Sequence, residues 1–76
     1  MLIVNSHDTV LNLDGFETMR INSGETYYLN YLKNGKTYTI DMFLYIDEAK
    51  QMLQDILDAY AKGTRVFYIN GRIVWN

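Results

Sequence analysis

A chain of 76 residues is enough for a single domain spanning 1–76, but its core must be small, since only about 60% of the unfolded surface is buried at this size. It has no cysteine, which excludes disulfides, iron–sulfur clusters and cysteine-based zinc sites, while 49% hydrophobic and 21% charged residues is the balance of a folded chain. A net charge of −2 gives no global positive field for nucleic acid or anionic lipid, and no apolar run approaches the roughly 20 residues of a membrane helix.

The chain opens with "MLIVNSHD", which lacks the basic start and long apolar stretch of a signal peptide, so a cytoplasmic location is expected. Short strands are predicted over 2–5, 9–13 and 16–22. Between the first two stand Asn5, Ser6, His7 and Asp8. Ser6, His7 and Asp8 are the residue types of a hydrolase triad, and His7 is the only histidine. A triad needs the serine oxygen on one imidazole nitrogen and the carboxylate on the other. Neighbouring side chains in a strand or turn point apart and cannot meet that demand. Asn, Ser and Asp favour turns, because their short polar groups bond to local backbone. A turn is the expectation.

Glycines supply most of the punctuation. Asp14-Gly15, Asn34-Gly35 and Asn70-Gly71 suit two-residue hairpin turns, Gly24 marks another turn, and Gly63 is placed for a left-handed helix cap. None is left for a phosphate-cradling loop. A turn at Asn34-Gly35 sets Lys33 against Lys36, Leu32 against Thr37, Tyr31 against Tyr38 and Leu29 against Ile40. One face then collects Tyr27, Leu29, Tyr31, Tyr38, Ile40 and Met42. The other collects Tyr28, Asn30, Leu32, Thr37, Thr39 and Asp41.

"DEAKQMLQDILDAYAKG" carries the helix, with Asp47 as the expected N-cap. Ala49, Met52, Leu53, Ile56, Leu57 and Tyr60 recur at the 3/4 spacing of one apolar stripe. Glu48, Asp55 and Asp58 form a modest acidic face, read as solvated helix surface. After Gly63, "TRVFYINGRIVWN" predicts a last hairpin. It places Val66, Tyr68, Ile73 and Trp75 on one side, and Phe67, Ile69 and Val74 on the other beside Arg65 and Arg72. Being apolar on both sides, it needs more of its own chain, a second copy or a partner.

The predicted order is β-β-β-β-β-α-β-β. The expected fold class is α+β, a small curled antiparallel sheet or partial barrel packed on one helix. One histidine and scattered carboxylates make no recognisable metal or cofactor site, and no enzyme is expected. Aromatic residues, at 14%, are the compositional anomaly. Tyr27, Tyr31, Tyr38 and Tyr60 fall on the core face, whereas Tyr28, Tyr45, Phe67 and Trp75 could equally form a contact surface. The site expected to meet a partner is Phe67, Ile69, Arg72, Val74 and Trp75, where arginine stands beside aromatic side chains.

Three stretches carry a resemblance: "IVNSHDTVLNLDGFETMRI" at 3–21, the "Y-x-D-E-A-K-x-x-L-x-x-I" helix entry at 45–56, and "AYAKGTRVFYI" at 59–69. In these the chain resembles uncharacterised small phage and prophage proteins of Gram-positive bacteria. The likeness covers most of 2–69, brings no catalytic motif, and leaves "NGRIVWN" as an extension. It implies a protein that binds a host protein and blocks it sterically, as an inhibitor of a defence system of the anti-CRISPR kind would. A homodimer or assembly protein is the alternative expectation, with weak single-stranded nucleic-acid binding disfavoured by the acidic balance.

Overall fold

The computed structural model describes residues 1–69. In chain order these form β1 (Leu2–Val4), β2 (Val10–Asn12), β3 (Thr18–Ser23), β4 (Tyr27–Lys33), β5 (Lys36–Phe43), α1 (Ile46–Ala61) and β6 (Val66–Tyr68). The fold is α+β, with the predicted order as far as Tyr68. The second arm of the last hairpin, with the Asn70-Gly71 turn, lies outside the described residues.

The strands divide into two three-stranded sheets instead of one curled sheet, and no barrel closes among the described residues. One sheet has the order β3-β4-β5 and is antiparallel throughout. The other has the order β2-β1-β6, in which β1 runs antiparallel to β2 and parallel to β6. The parallel pair is bracketed by Leu2 N–H donating to the Arg65 carbonyl and Ile69 N–H to that of Val4. The helix packs across β3, β4 and β5. Ile3, Leu13 and Ile69 then meet Leu29, Tyr31, Ile40 and Ile56 in one buried cluster that joins the two sheets.

The Asn34-Gly35 turn has positive φ at both residues, 53° and 77°, as a type I′ hairpin requires. The first pairs of β4 and β5 are those predicted, from Lys33 opposite Lys36 to Tyr31 opposite Tyr38. Leu29, however, faces Asp41 and not Ile40. Ile40 is the extra residue of a β-bulge, so Ile40 and Asp41 are both buried and Met42 is turned outward.

Asp14-Gly15 is not a hairpin turn, because β2 and β3 lie in different sheets. Phe16 N–H closes that turn on the Leu13 carbonyl, with positive φ at Gly15 and not at Asp14, the pattern of a type II turn.

The helix begins at Ile46, which makes Tyr45 and not Asp47 its N-cap residue. Its far end follows the prediction. Gly63 has φ 79°, its N–H bonds to the Tyr60 carbonyl, and Thr64 N–H bonds to that of Ala59. Those two bonds complete a Schellman motif. Ala49 and Ile56 are fully buried and Met52 and Leu53 pack on the core, but Leu57 and Tyr60 stay substantially exposed at the stripe's edge. Tyr60 meets Phe16 edge-on, with ring centroids 5.5 Å apart.

Candidate functional site

Residues 5–8 form a turn and also a clasp. Asn5 is buried; its side-chain oxygen accepts the N–H groups of His7 and Thr9 at 2.9 and 3.0 Å, and Asp8 takes a positive φ. The Asn5 amide donates to the Ile40 carbonyl at 3.0 Å. Ser6 gives its N–H and its hydroxyl to the two oxygens of Asp41, at 2.9 and 2.8 Å. Of the triad letters, the serine is thus committed to structure: its hydroxyl is spent on Asp41, a residue of the β3-β4-β5 sheet.

The clasp grips the bulge, and the bulge decides which residues face solvent after it. Had β5 kept a regular alternation, Met42 would share the inward face of Leu29 and Tyr31. Instead it lies outward opposite Tyr28 and is half exposed. Leu44 and Tyr45 follow at 71% and 68% exposure, and Ile46 at 40%. Four large apolar side chains within five residues therefore stand in water at the junction of β5 and α1. Single exposed apolar residues are ordinary, whereas such a concentration marks a contact surface.

Tyr45 adds a second sign. Its backbone, at φ −121° and ψ 139°, is that of an N-cap, yet no side chain caps the helix. Glu48 stands at the third helical position, where a capping box would use it. Serine, threonine or aspartate at position 45 would satisfy a free backbone N–H that tyrosine leaves to solvent. Local preference is broken here by a residue whose side chain contributes little burial. Such exceptions concentrate where function competes with stability.

The exposed charges near the corner are mostly acidic, with Lys50, one helical turn from Ile46, as the base among them. Asp47 and Glu48 are exposed in the first helical turn. Glu25 is exposed in the loop beside Tyr27, which pairs with Phe43 at the end of β5.

No protein family matches this sequence, and comparison with curated proteins and with solved structures gave no match. The site therefore rests on its own residues.

Of the residues predicted to meet a partner, Ile69 is 6% exposed and belongs to the core, and Phe67 is half-buried against it. Arg72, Val74 and Trp75 lie outside the described residues. The apolar excess of β6 is explained in part within the chain, because β6 lies against β1. Val66 remains 40% exposed beside the exposed Arg65. Of the four tyrosines placed on the core face, Tyr31 is buried and Tyr27 half-buried, while Tyr38 stacks on Tyr31 at a centroid distance of 5.1 Å and stays partly exposed.

On the helix, Asp55 and Asp58 accept from Gln51 and Gln54 one turn earlier, as residues of a solvated face do. No group of three or more histidines, cysteines or carboxylates that could hold a metal occurs among the described residues, and no helix there is long and apolar enough to cross a membrane. The outer face of the β3-β4-β5 sheet carries an open hollow of about 370 Å³, lined by Thr18, Arg20, Asn22, Asn30, Leu32 and Thr37. Met42, Leu44 and Ile46 were missed by sequence reasoning. The signal was the unbroken apolar run "MFLYI" with no turn residue between strand and helix, which reads as core when burial is unknown.

Proposed function

We propose that this chain is a non-enzymatic protein-binding module that acts by covering a surface of its partner. The observation that carries the reading is the exposure of Leu44 and Tyr45 at a helix start where a capping residue would stabilise the fold more. Removing such side chains from water is worth about 1.5–3 kcal/mol each before the costs of association, enough to make them interface anchors. Tyrosine is well suited to this, having a large amphipathic surface and few rotatable bonds. The partner we propose is a bacterial host protein, the expectation raised by the likeness of 3–21, 45–56 and 59–69 to phage proteins, with steric inhibition of a defence component as the specific case.

A pull-down from bacterial lysate tests the reading, with the wild-type chain and the variant Leu44→Asp/Tyr45→Ser as baits. The expected result is a host protein retained by the wild type and lost with the variant. Identical captures by both folded baits, or none by either, would overturn the corner as the binding site.

A further inference from the structure

We infer that the corner's partner is a protein surface with lysine or arginine side chains around an apolar centre. This rests on the corner being a docking site and adds the chemistry of what docks. Charge is unevenly distributed over the chain. From position 37 to 61 the sequence holds Asp41, Asp47, Glu48, Asp55 and Asp58 against a single base, Lys50. Asp41 is buried in the clasp and Asp55 and Asp58 lie further along the helix, so the acids at the corner are Asp47, Glu48 and, from the neighbouring loop, Glu25.

Lys50, one helical turn from Ile46, is the base nearest these acids and leaves them in excess, while the other bases of the described residues lie elsewhere. Lys33 and Lys36 flank the hairpin tip, at the opposite end of β5 from Leu44. Lys62 and Arg65 follow the C-terminal end of the helix. That end lies towards the tip as well, since Tyr60 touches Phe16 and the neighbouring Glu17 accepts from Gly35 N–H. Arg20 stands mid-strand, opposite Asn30. Eight strand residues span about 26 Å. Exposed charges are screened beyond about 8 Å at physiological salt, so the far lysines do not neutralise the corner.

An apolar centre inside a negative rim selects its occupant. Phosphate groups of nucleic acid or anionic lipid would be repelled. A second copy docked corner to corner across a two-fold axis would bring like charges together, which opposes that mode of dimerisation. A cationic rim on a partner protein would be steered in and paired on arrival.

The test uses ¹⁵N-labelled protein and two synthetic amphipathic helical peptides with the same leucine stripe, one flanked by lysines and one by glutamates. The lysine peptide should shift the amides of Glu25, Tyr28, Met42, Leu44, Tyr45 and Glu48. Its affinity should fall severalfold as ionic strength is raised, and severalfold for Glu25→Gln/Glu48→Gln at constant salt. Equal binding of both peptides at the corner would overturn the charge assignment while leaving the docking surface in place. Shifts confined to other parts of the molecule would overturn it too, as would corner signals that move with protein concentration alone, which would make a second copy the occupant.

Discussion

Ser6 and Asp41, 35 residues apart in sequence, are joined by two hydrogen bonds that tie the first sheet to the second. Asp41 also accepts from Met42 N–H at 2.9 Å, so its buried carboxyl group is held by three donors. Hydrogen bonds to charged groups contribute about 1.5–3 kcal/mol when one partner is removed. Ser6→Ala should therefore lower unfolding free energy by about 1–2 kcal/mol, and Asp41→Ala by about 2–3 kcal/mol, measured by urea denaturation. His7→Ala should stay within about 0.5 kcal/mol, as substitutions at exposed turn positions do. A large loss from His7→Ala beside a small one from Ser6→Ala would refute the clasp.

Gly63 offers a cleaner measurement, because its substitution meets no steric obstacle. A Cβ built there has no atom within 4 Å, yet φ is 79°. The cost of Gly63→Ala is then conformational alone, about 1–2 kcal/mol, the penalty of a left-handed backbone for a residue with a side chain. Thermal unfolding should show a decrease of several degrees for a domain of this size. Gly63→Asn, which tolerates that region better, should recover part of the loss.

These two sites differ in how legible they were. The Asn34-Gly35 hairpin, the Gly63 cap and the stripe from Ala49 to Ile56 follow from local rules, since each depends on residues within one or two turns of itself. The bulge at Ile40 does not. The stretch "TYTIDMF" alternates equally well with or without it, and the residues that hold it, Asn5 and Ser6, lie in the distant turn between β1 and β2. The parallel pairing of β1 with β6 is hidden for a similar reason, as two three-residue strands meet with no turn to announce them. The candidate site depends on the bulge, and the misplaced expectation for the last hairpin on the hidden pairing. Once Met42 is assigned inward, Leu44 and Ile46 draw no notice beside Tyr45, and the apolar excess is sought instead in the last hairpin, where Ile69 is buried and Phe67 half-buried.

The acid–base chemistry of the core gives a prediction about alkaline pH. Tyr31 is buried between the sheets, its hydroxyl 3.5 Å from the Asn12 carbonyl and its ring stacked on Tyr38. Burial, with the neighbouring Tyr38 phenol second, holds its ionisation above the ordinary value near 10. As pH rises past 10 the unfolded chain releases this proton first, so the native state binds more protons and stability falls with pH. The contribution is complete below pH 10 and is lost as pH climbs towards the native ionisation. Urea unfolding from pH 8 to 11 should show this decline, and Tyr31→Phe should flatten it. An equal slope in both proteins would show that Tyr31 is not its source.

The corner makes the sharpest demand, because stability and binding should move in opposite directions there. Tyr45→Ser would place a hydroxyl where the free N–H of Glu48 can use it, and would complete the Ser-x-x-Glu pattern with Glu48. Since the Tyr45 side chain is 68% exposed, little burial is lost. The variant should gain about 1 kcal/mol in unfolding free energy, the usual worth of an N-cap. The same substitution removes an interface anchor, so capture of the partner should fall tenfold or more. Leu44→Asp serves as the control for charge and surface: its stability should change by less than about 0.5 kcal/mol while capture is lost. A Tyr45→Ser protein that is both more stable and fully competent to bind would mean that the tyrosine is retained for neither reason.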